Sequence, residues 1–132
     1  MKTIFFVEDN ADVVEVYRES LVREGFEVLV AEDGIAAMRL LREGSPDLVI
    51  LDLLMPRLNG ADVLKYIRTT PAHAQTKVVI FSNAYQSDIY DILLDAGKYA
   101  PDDFLLKLSC TPEKLVSVVK SVLNDGQTGE NK

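Results

Sequence analysis

The feature that most constrains this chain is a regular alternation of short apolar runs with amphipathic segments of helical period. The first run, Ile4 to Val7, is aromatic and β-branched, which is typical of a strand covered on both faces of a parallel sheet. The next segment places Val14, Tyr17 and Leu21 at helical spacing, and Gly25 offers a stop. Five such strand–helix units predict an α/β fold with a parallel sheet, right-handed crossovers and helices on both faces.

Five strands and five helices are predicted in alternation. The strands are Ile4 to Val7, Val28 to Ala31, Leu48 to Leu51, Val78 to Phe81 and Phe104 to Leu106. The helical stripes include Val14 to Leu21, Ile35 to Leu41, Val63 to Ile67, Ile89 to Leu93 and Leu115 to Leu123. Thr111 is expected to cap the last helix, with Pro112 in its first turn.

Length and charge narrow the class of protein. A chain of 132 residues fits one domain, which we assign to residues 1–124, with residues 125–132 expected to be a disordered polar tail. The net charge of −7 repels phosphate backbones and anionic lipids, so neither nucleic acid nor membrane is expected as a direct partner.

The cysteine content and the apolar runs bear on location. Cys110 is the sole cysteine, so the chain cannot form an internal disulfide, which suits a reducing compartment. No apolar run approaches the roughly 20 residues of a membrane span, and the first ten residues lack the apolar core of a signal peptide. A cytoplasmic protein is therefore expected.

Reactive side chains follow four of the five predicted strands. Glu8 and Asp9 follow the first strand, Asp52 the third, Ser82 the fourth and Lys107 the fifth. The carboxyl ends of parallel strands form one edge, where ligands bind at the point at which the strand order reverses. The second strand has no equivalent group, which fits an edge position and predicts the order 2-1-3-4-5.

Three carboxylates in one crevice would raise one another's pKa unless a cation or a lysine neutralises them. An all-oxygen ligand set indicates Mg²⁺ rather than zinc, which prefers His or Cys. Together with the Ser82 hydroxyl and the Lys107 ammonium, these groups are typical of phosphoryl transfer: a nucleophile, a metal ion and donors to the phosphoryl oxygens. Attack by a carboxylate on phosphorus would give an aspartyl phosphate.

Four motifs lie in order at these strand ends: VEDN, LDLLMPRLNG, VIFSNA and DDFLLK. In these motifs the sequence resembles the receiver domain of two-component response regulators, the flavodoxin-like CheY family, over roughly residues 3–124. The resemblance implies a five-stranded, doubly wound parallel sheet with five helices. It also implies a phosphorylation-switched signalling module that catalyses only its own phosphorylation and dephosphorylation and is not a metabolic enzyme.

The same resemblance assigns roles to individual residues. Asp52 would be the phosphoacceptor, and Asp9 and Asp52 would bind Mg²⁺ directly together with the Leu54 backbone carbonyl. Glu8 would orient a metal-bound water, and Ser82 and Lys107 would contact the phosphoryl group. Phe104 would take the place of the aromatic residue whose side-chain rotamer changes on activation. Met55, Pro56 and Gly60 would shape the loop after Asp52.

Three positions depart from the family's usual pattern. Leu108 follows Lys107 where the family generally has a cis proline, and a cis bond without proline costs about 2.5–4 kcal/mol, so the bond is either trans or strained. Asn83 stands where Ala or Gly is usual, and its side chain would partly cover the phosphate. Extra residues fit in the segment from Lys98 to Pro101, near the surface that family members use for partners.

The expected partners are a sensor histidine kinase or phosphotransfer protein and an output protein that the sequence does not identify. A homodimer through the face between the fourth and last helices is a further expectation. Among alternatives, a phosphohydrolase of the haloacid dehalogenase type would need a second acid after Asp52, where Leu53 and Leu54 stand. A flavodoxin-like electron carrier would need a phosphate-binding loop after the first strand, and this sequence has none there. A degenerate receiver, one that no longer accepts phosphate, would not be expected to keep all five site residues.

Several residues also have plain structural interpretations. Ser82 could cap the following helix, a role compatible with phosphoryl contact. Phe104 is as well explained by core packing as by switching. We expect His73 to be a solvated loop residue and Cys110 a small buried side chain.

Overall fold

The structure is a computed structural model that describes residues 1–54, 60–83 and 99–124. Its five strands form one parallel sheet in the order β2-β1-β3-β4-β5, as predicted. They are β1 (Thr3–Val7), β2 (Glu27–Ala31), β3 (Leu48–Leu51), β4 (Lys77–Ser82) and β5 (Asp103–Leu106). The strand without a reactive end group, β2, lies at the sheet edge, and β1 and β3 are neighbours.

The described helices are α1 (Ala11–Arg23), α2 (Gly34–Glu43), α3 (Gly60–Thr69) and α4 (Pro112–Leu123). Three of them begin at a polar N-cap whose side chain accepts a backbone N–H: Asn10, Asp33 and Thr111. The predicted helix at Ile89 to Leu93 lies outside the described residues, and so do Met55, Pro56 and residues 125–132.

The sheet separates two apolar layers. On one face α2 and α3 cover Phe5, Val49 and Ile80, and on the other α1 and α4 cover Phe6, Ile50 and Phe81. Strands β1 and β3 are buried on both faces, which explains why their sequences are continuously apolar rather than alternating. No helix in the described part of the chain is both long and apolar enough to cross a membrane.

The strand register fixes which residues meet at the carboxyl edge of the sheet. Val7 pairs with Leu51, so Glu8 and Asp52 leave their strands side by side. On the other side of β4, Ser82 pairs with Leu106, so Lys107 follows directly. The carboxyl edge therefore collects the four strand ends that the sequence singled out.

The expectation for His73 is wrong. His73 lies in a short 3-10 helix, Pro71–His73, and is only 2% exposed. Its Nε2 lies 2.8 Å from the carbonyl oxygen of Leu41 near the end of α2, and its ring lies 5.8 Å from that of Tyr66. A helix-end carbonyl needs a donor, and a histidine brought there by tertiary packing supplies it.

Candidate functional site

Three carboxylates cluster at the carboxyl edge. One ligand oxygen from each of Glu8, Asp9 and Asp52 lies within 4.8 Å of the others. Glu8 is 1% exposed and Asp52 4% exposed, whereas Asp9 is exposed. The cluster is thus open to solvent on the Asp9 side and closed toward the sheet.

Among the described residues, Lys107 supplies the positive charge that faces these carboxylates. Its Nζ lies 2.9 Å from the Asp52 Oδ2 and forms an ion pair with Glu8 Oε1. Only 13% of the lysine side chain is exposed, so solvent screens both ion pairs weakly. We call Glu8, Asp9, Asp52 and Lys107 the carboxyl-edge site.

The charged form of Glu8 is poorly stabilised in this site. Burial raises the pKa of Glu8 above its ordinary value, although hydrogen bonds from Lys107 and from the backbone of Asn10 act in the opposite direction. Burial also acts to lower the pKa of Lys107, but hydrogen bonds and charge attraction to Glu8 and Asp52 together outweigh it and leave that pKa raised. The lysine is therefore held in its charged form, and one further cation would relieve the remaining negative charge.

The backbone around Asp52 orients its carboxylate. The Leu54 N–H donates to Asp52 Oδ1 at 3.0 Å, while Oδ2 accepts from Lys107. Gly60, at the start of α3, packs so closely that a Cβ there would lie 2.5 Å from the Asp52 carbonyl oxygen. Gly60 was expected to shape the loop after Asp52, and this close approach supplies a physical reason for glycine.

The remaining predicted residues lie at or near the ends of β3, β4 and β5. Ser82 is fully buried at the end of β4, and Phe104 is half-buried on β5, where it packs against the core layer under α2 and α3. Leu54 presents a side chain that is 52% exposed, and Asn83 is exposed. The Lys107–Leu108 peptide bond is trans, which settles the open alternative at that position.

Two contributors were missed from the sequence. Asn10 caps α1 with its side chain and donates its backbone N–H to Glu8 Oε2 at 3.0 Å. The ring of Phe81 lies beneath Lys107, with 5.7 Å between Nζ and the ring centroid. An Asn just before a helical stripe is a recognisable capping signal, but nothing in the sequence pairs Phe81 with Lys107.

The donor set fits a hard divalent cation. Carboxylate oxygens from three residues lie together, with no His or Cys among them. Lys107 neutralises only part of this charge, and the exposure of Asp9 leaves room for retained waters. The chemistry of the cluster therefore suits Mg²⁺ better than zinc.

Comparisons with known proteins agree with this geometry. The chain matches the family described as "Response regulator receiver domain" over residues 4–120. It is 36% identical over 129 residues to the DNA-binding response regulator MtrA of Mycolicibacterium paratuberculosis, covering 96% of this chain and 54% of the relative. The chain thus spans about half the length of the curated relatives it matches.

Solved structures show the same architecture. The signal receiver domain of a signal transduction histidine kinase from Syntrophus aciditrophicus has a TM-score of 0.83 at 26% identity, with 97% of this chain and 94% of that one covered. For the chemotaxis response regulator CheY4 of Vibrio cholerae the TM-score is 0.80 at 22% identity, covering 92% and 98%.

These relatives lend no support to the phosphohydrolase alternative, and their fold is the CheY-like, flavodoxin-like fold. The family match covers both the acidic residues after β1 and the lysine after β5. The chain belongs to the response regulator receiver domain family, the phosphorylation-switched signalling domains of two-component systems.

Proposed function

We propose that this receiver domain accepts a phosphoryl group on Asp52 from a histidine kinase or phosphotransfer protein, and that Mg²⁺ is required. The observation that carries the proposal is the buried Asp52 carboxylate, which lies beside two other carboxylates and 2.9 Å from the Lys107 ammonium. In the transfer, an Asp52 oxygen bonds to phosphorus while the bond from phosphorus to the donor's imidazole nitrogen breaks, and the electron pair leaves with the imidazole.

Glu8, Asp9 and Asp52 are the residues that would hold Mg²⁺, together with the Leu54 backbone carbonyl. The ion supplies positive charge that offsets the negative charge of the carboxylates and the incoming phosphoryl group. Lys107 adds a second positive charge from the side of β5 and can donate a hydrogen bond to a phosphoryl oxygen. The Leu54 N–H keeps one Asp52 oxygen oriented.

The change in partner binding on phosphorylation is proposed to depend on Ser82 and Phe104. Ser82 ends β4 beside the carboxyl-edge site, so its hydroxyl is the group that a phosphoryl oxygen would draw toward Asp52. Phe104 lies on the neighbouring strand, in register with Ile80, and is already partly packed on the core. A shift of Ser82 would let the ring move further inward, which would alter the surface that a partner contacts.

Several wider expectations remain proposals. We assign the domain to residues 1–124, place the protein in the cytoplasm, and expect any homodimer to use the face between the predicted helix at Ile89 to Leu93 and the last helix, α4. The relative MtrA is named as DNA-binding. Direct nucleic-acid binding is not expected of this acidic chain itself, whose net charge is −7.

Intact-mass spectrometry after incubation with acetyl phosphate tests the proposal. The wild-type protein should gain one phosphoryl group with Mg²⁺ and none with a chelator. Asp52→Asn should abolish the gain, whereas Asp103→Asn, the same change at an exposed residue at the opposite edge of the sheet, should not. Full labelling of Asp52→Asn would place the acceptor elsewhere.

A further inference from the structure

The turn after Lys107 lacks the feature expected to fix it. Leu108 replaces the usual proline, its peptide bond is trans, and its side chain is 89% exposed, so it anchors nothing. The turn is nevertheless ordered as a short 3-10 helix, Lys107–Ser109, closed by a hydrogen bond from the Cys110 N–H to the Lys107 carbonyl at 3.2 Å. A contact from another element can take over the role of the proline and hold the turn in place.

Tyr17, on the inner face of α1, makes the contact that does so. Its hydroxyl donates a hydrogen bond to the Cys110 carbonyl oxygen, across 93 residues of sequence. Cys110 is buried against the layer under α1 and α4, so this bond joins the end of the turn to the first helix. A tyrosine hydroxyl is protonated at neutral pH and able to donate, and burial raises the pKa of Tyr17 further.

The ring of Tyr17 also contacts Lys107 indirectly, through the ring of Phe81. It packs edge-on against Phe81 with 5.0 Å between the ring centroids, and the Lys107 Nζ lies 5.7 Å from the Phe81 centroid. An ammonium within about 6 Å of an aromatic face is attracted to it. Tyr17 thus supports both the backbone that carries Lys107 and the ring beneath its ammonium.

We propose that Tyr17 is a positioning residue for Lys107, replacing through its hydrogen bond to Cys110 the constraint that a proline after the lysine would provide. The inference rests on the proposed role of Asp52 and Lys107 in phosphoryl transfer. Tyr17 touches none of the carboxylates that would hold the metal ion, so its effect should fall on the transfer rate and spare metal affinity.

The test substitutes Tyr17→Phe, which removes the hydroxyl and keeps the ring. Tyr66→Phe, on α3 at the far side of the sheet, is the matched control. Losing one hydrogen bond should slow phosphorylation by acetyl phosphate about fivefold in Tyr17→Phe. The dissociation constant for Mg²⁺ should change less than about twofold, and the control should match the wild type in both measurements.

A second comparison separates positioning from a general structural role. In a Lys107→Met background, Tyr17→Phe should change the residual rate less than about twofold, because no lysine remains to be positioned. The same fivefold loss in that background, or an unchanged rate in the single variant, would overturn the inference.

Hydrogen exchange tests the same inference without relying on phosphorylation. The Cys110 amide should exchange faster in Tyr17→Phe than in the wild type or in Tyr66→Phe, because its turn is released. Unchanged protection of that amide would also overturn the inference. If the wild type takes no phosphoryl group at all, the proposed function fails, and this exchange measurement alone decides whether Tyr17 orders the turn.

Discussion

At the scale of single residues, the ammonium of Lys107 partly neutralises the buried carboxylates of the carboxyl-edge site. Glu8 and Asp52 are buried, and both lie against Lys107. Their sequence positions, each directly after an apolar strand, were enough to predict that they meet. A neutralising lysine was one alternative that the sequence raised, but the simultaneous pairing of Lys107 with both Glu8 and Asp52 depends on the path of the turn after β5.

Metal binding should respond differently to the two acidic residues after β1. Asp9 is exposed and was assigned as a direct ligand, whereas Glu8 was assigned a contact through water. Asp9→Asn should weaken Mg²⁺ binding on the order of tenfold or more, and Glu8→Gln should weaken it less. Isothermal titration gives both constants, and equal affinity in the wild type and Asp9→Asn would contradict the assignment.

The buried charge of Glu8 should also be visible as a pH dependence of stability without metal. Because burial raises the folded pKa of Glu8 above its unfolded value, the folded state retains more protons than the unfolded state as pH rises above about 4.5, so stability falls with pH in that window. The stability that Glu8 contributes is therefore complete below that pH and is lost as pH rises through the folded pKa.

Glu8→Gln removes this titration, so the wild type should lose stability relative to the variant over that window. Urea unfolding in chelator at a series of pH values measures the difference. A difference independent of pH, or one of opposite sign, would show that Lys107 and Asn10 fully compensate the buried carboxylate.

His73 shows where prediction from single residues fails. In sequence it is a lone histidine between Pro71 and Gln75, a context typical of a solvated loop. Its burial depends on the Leu41 carbonyl, 32 residues earlier, at the end of another helix. No local pattern encodes that contact.

At the scale of elements, β1, β3 and β4 were predictable because strands buried on both faces of a sheet have continuous apolar runs. Helix starts were predictable where a capping residue stands before the apolar stripe, as Thr111 does before α4. Contacts between a helix and a loop backbone leave a weaker pattern in the sequence than strands or helix starts do. The approach of α3 to Asp52 is one of them, marked in sequence only by Gly60.

Gly60→Ala should therefore disturb both the fold and the phosphoacceptor. The new methyl group would meet the backbone of Asp52 and Leu53, which cannot move aside cheaply. We expect a loss of about 1–3 kcal/mol in the free energy of unfolding. Slower phosphorylation should accompany it, because Asp52 itself is displaced.

Gly44→Ala is the matched control, because a Cβ at Gly44 meets nothing within 4 Å. Gly44 also has an ordinary extended backbone, with φ −160°. Chemical denaturation and intact-mass kinetics measure both variants. If Gly60→Ala behaves like Gly44→Ala in both assays, the close packing of α3 on the acceptor loop does not matter for function.

At the scale of the whole molecule, the carboxyl edge holds the chemistry and the opposite edge holds the sheet together. There Arg68, in the last turn of α3, bonds to the Thr76 and Ala100 carbonyls and to Asp102. Asp102 in turn accepts the Val78 N–H at 2.7 Å. Hydrogen bonds thus anchor the residue just before β5 (Asp103–Leu106), and we expect phosphorylation to act on the Phe104 side chain and on the carboxyl end of the strand, next to Lys107.

Addition of beryllofluoride, a phosphoryl mimic, should therefore change NMR amide shifts chiefly in residues 82–83 and 104–110. Phe104 lacks a hydroxyl to hold it at the surface and is already partly packed inward, so its change should be small. Shifts concentrated around α2 would show that the output does not pass through β4 and β5.

Mapping the phosphorylated residue tests the central claim most directly. The protein is treated with acetyl phosphate and Mg²⁺, reduced with borohydride, which converts an aspartyl phosphate to homoserine, and digested for tandem mass spectrometry. We expect homoserine at position 52 and an unmodified aspartate at position 9. Reduction at any other acidic residue, with Asp52 intact, would contradict it.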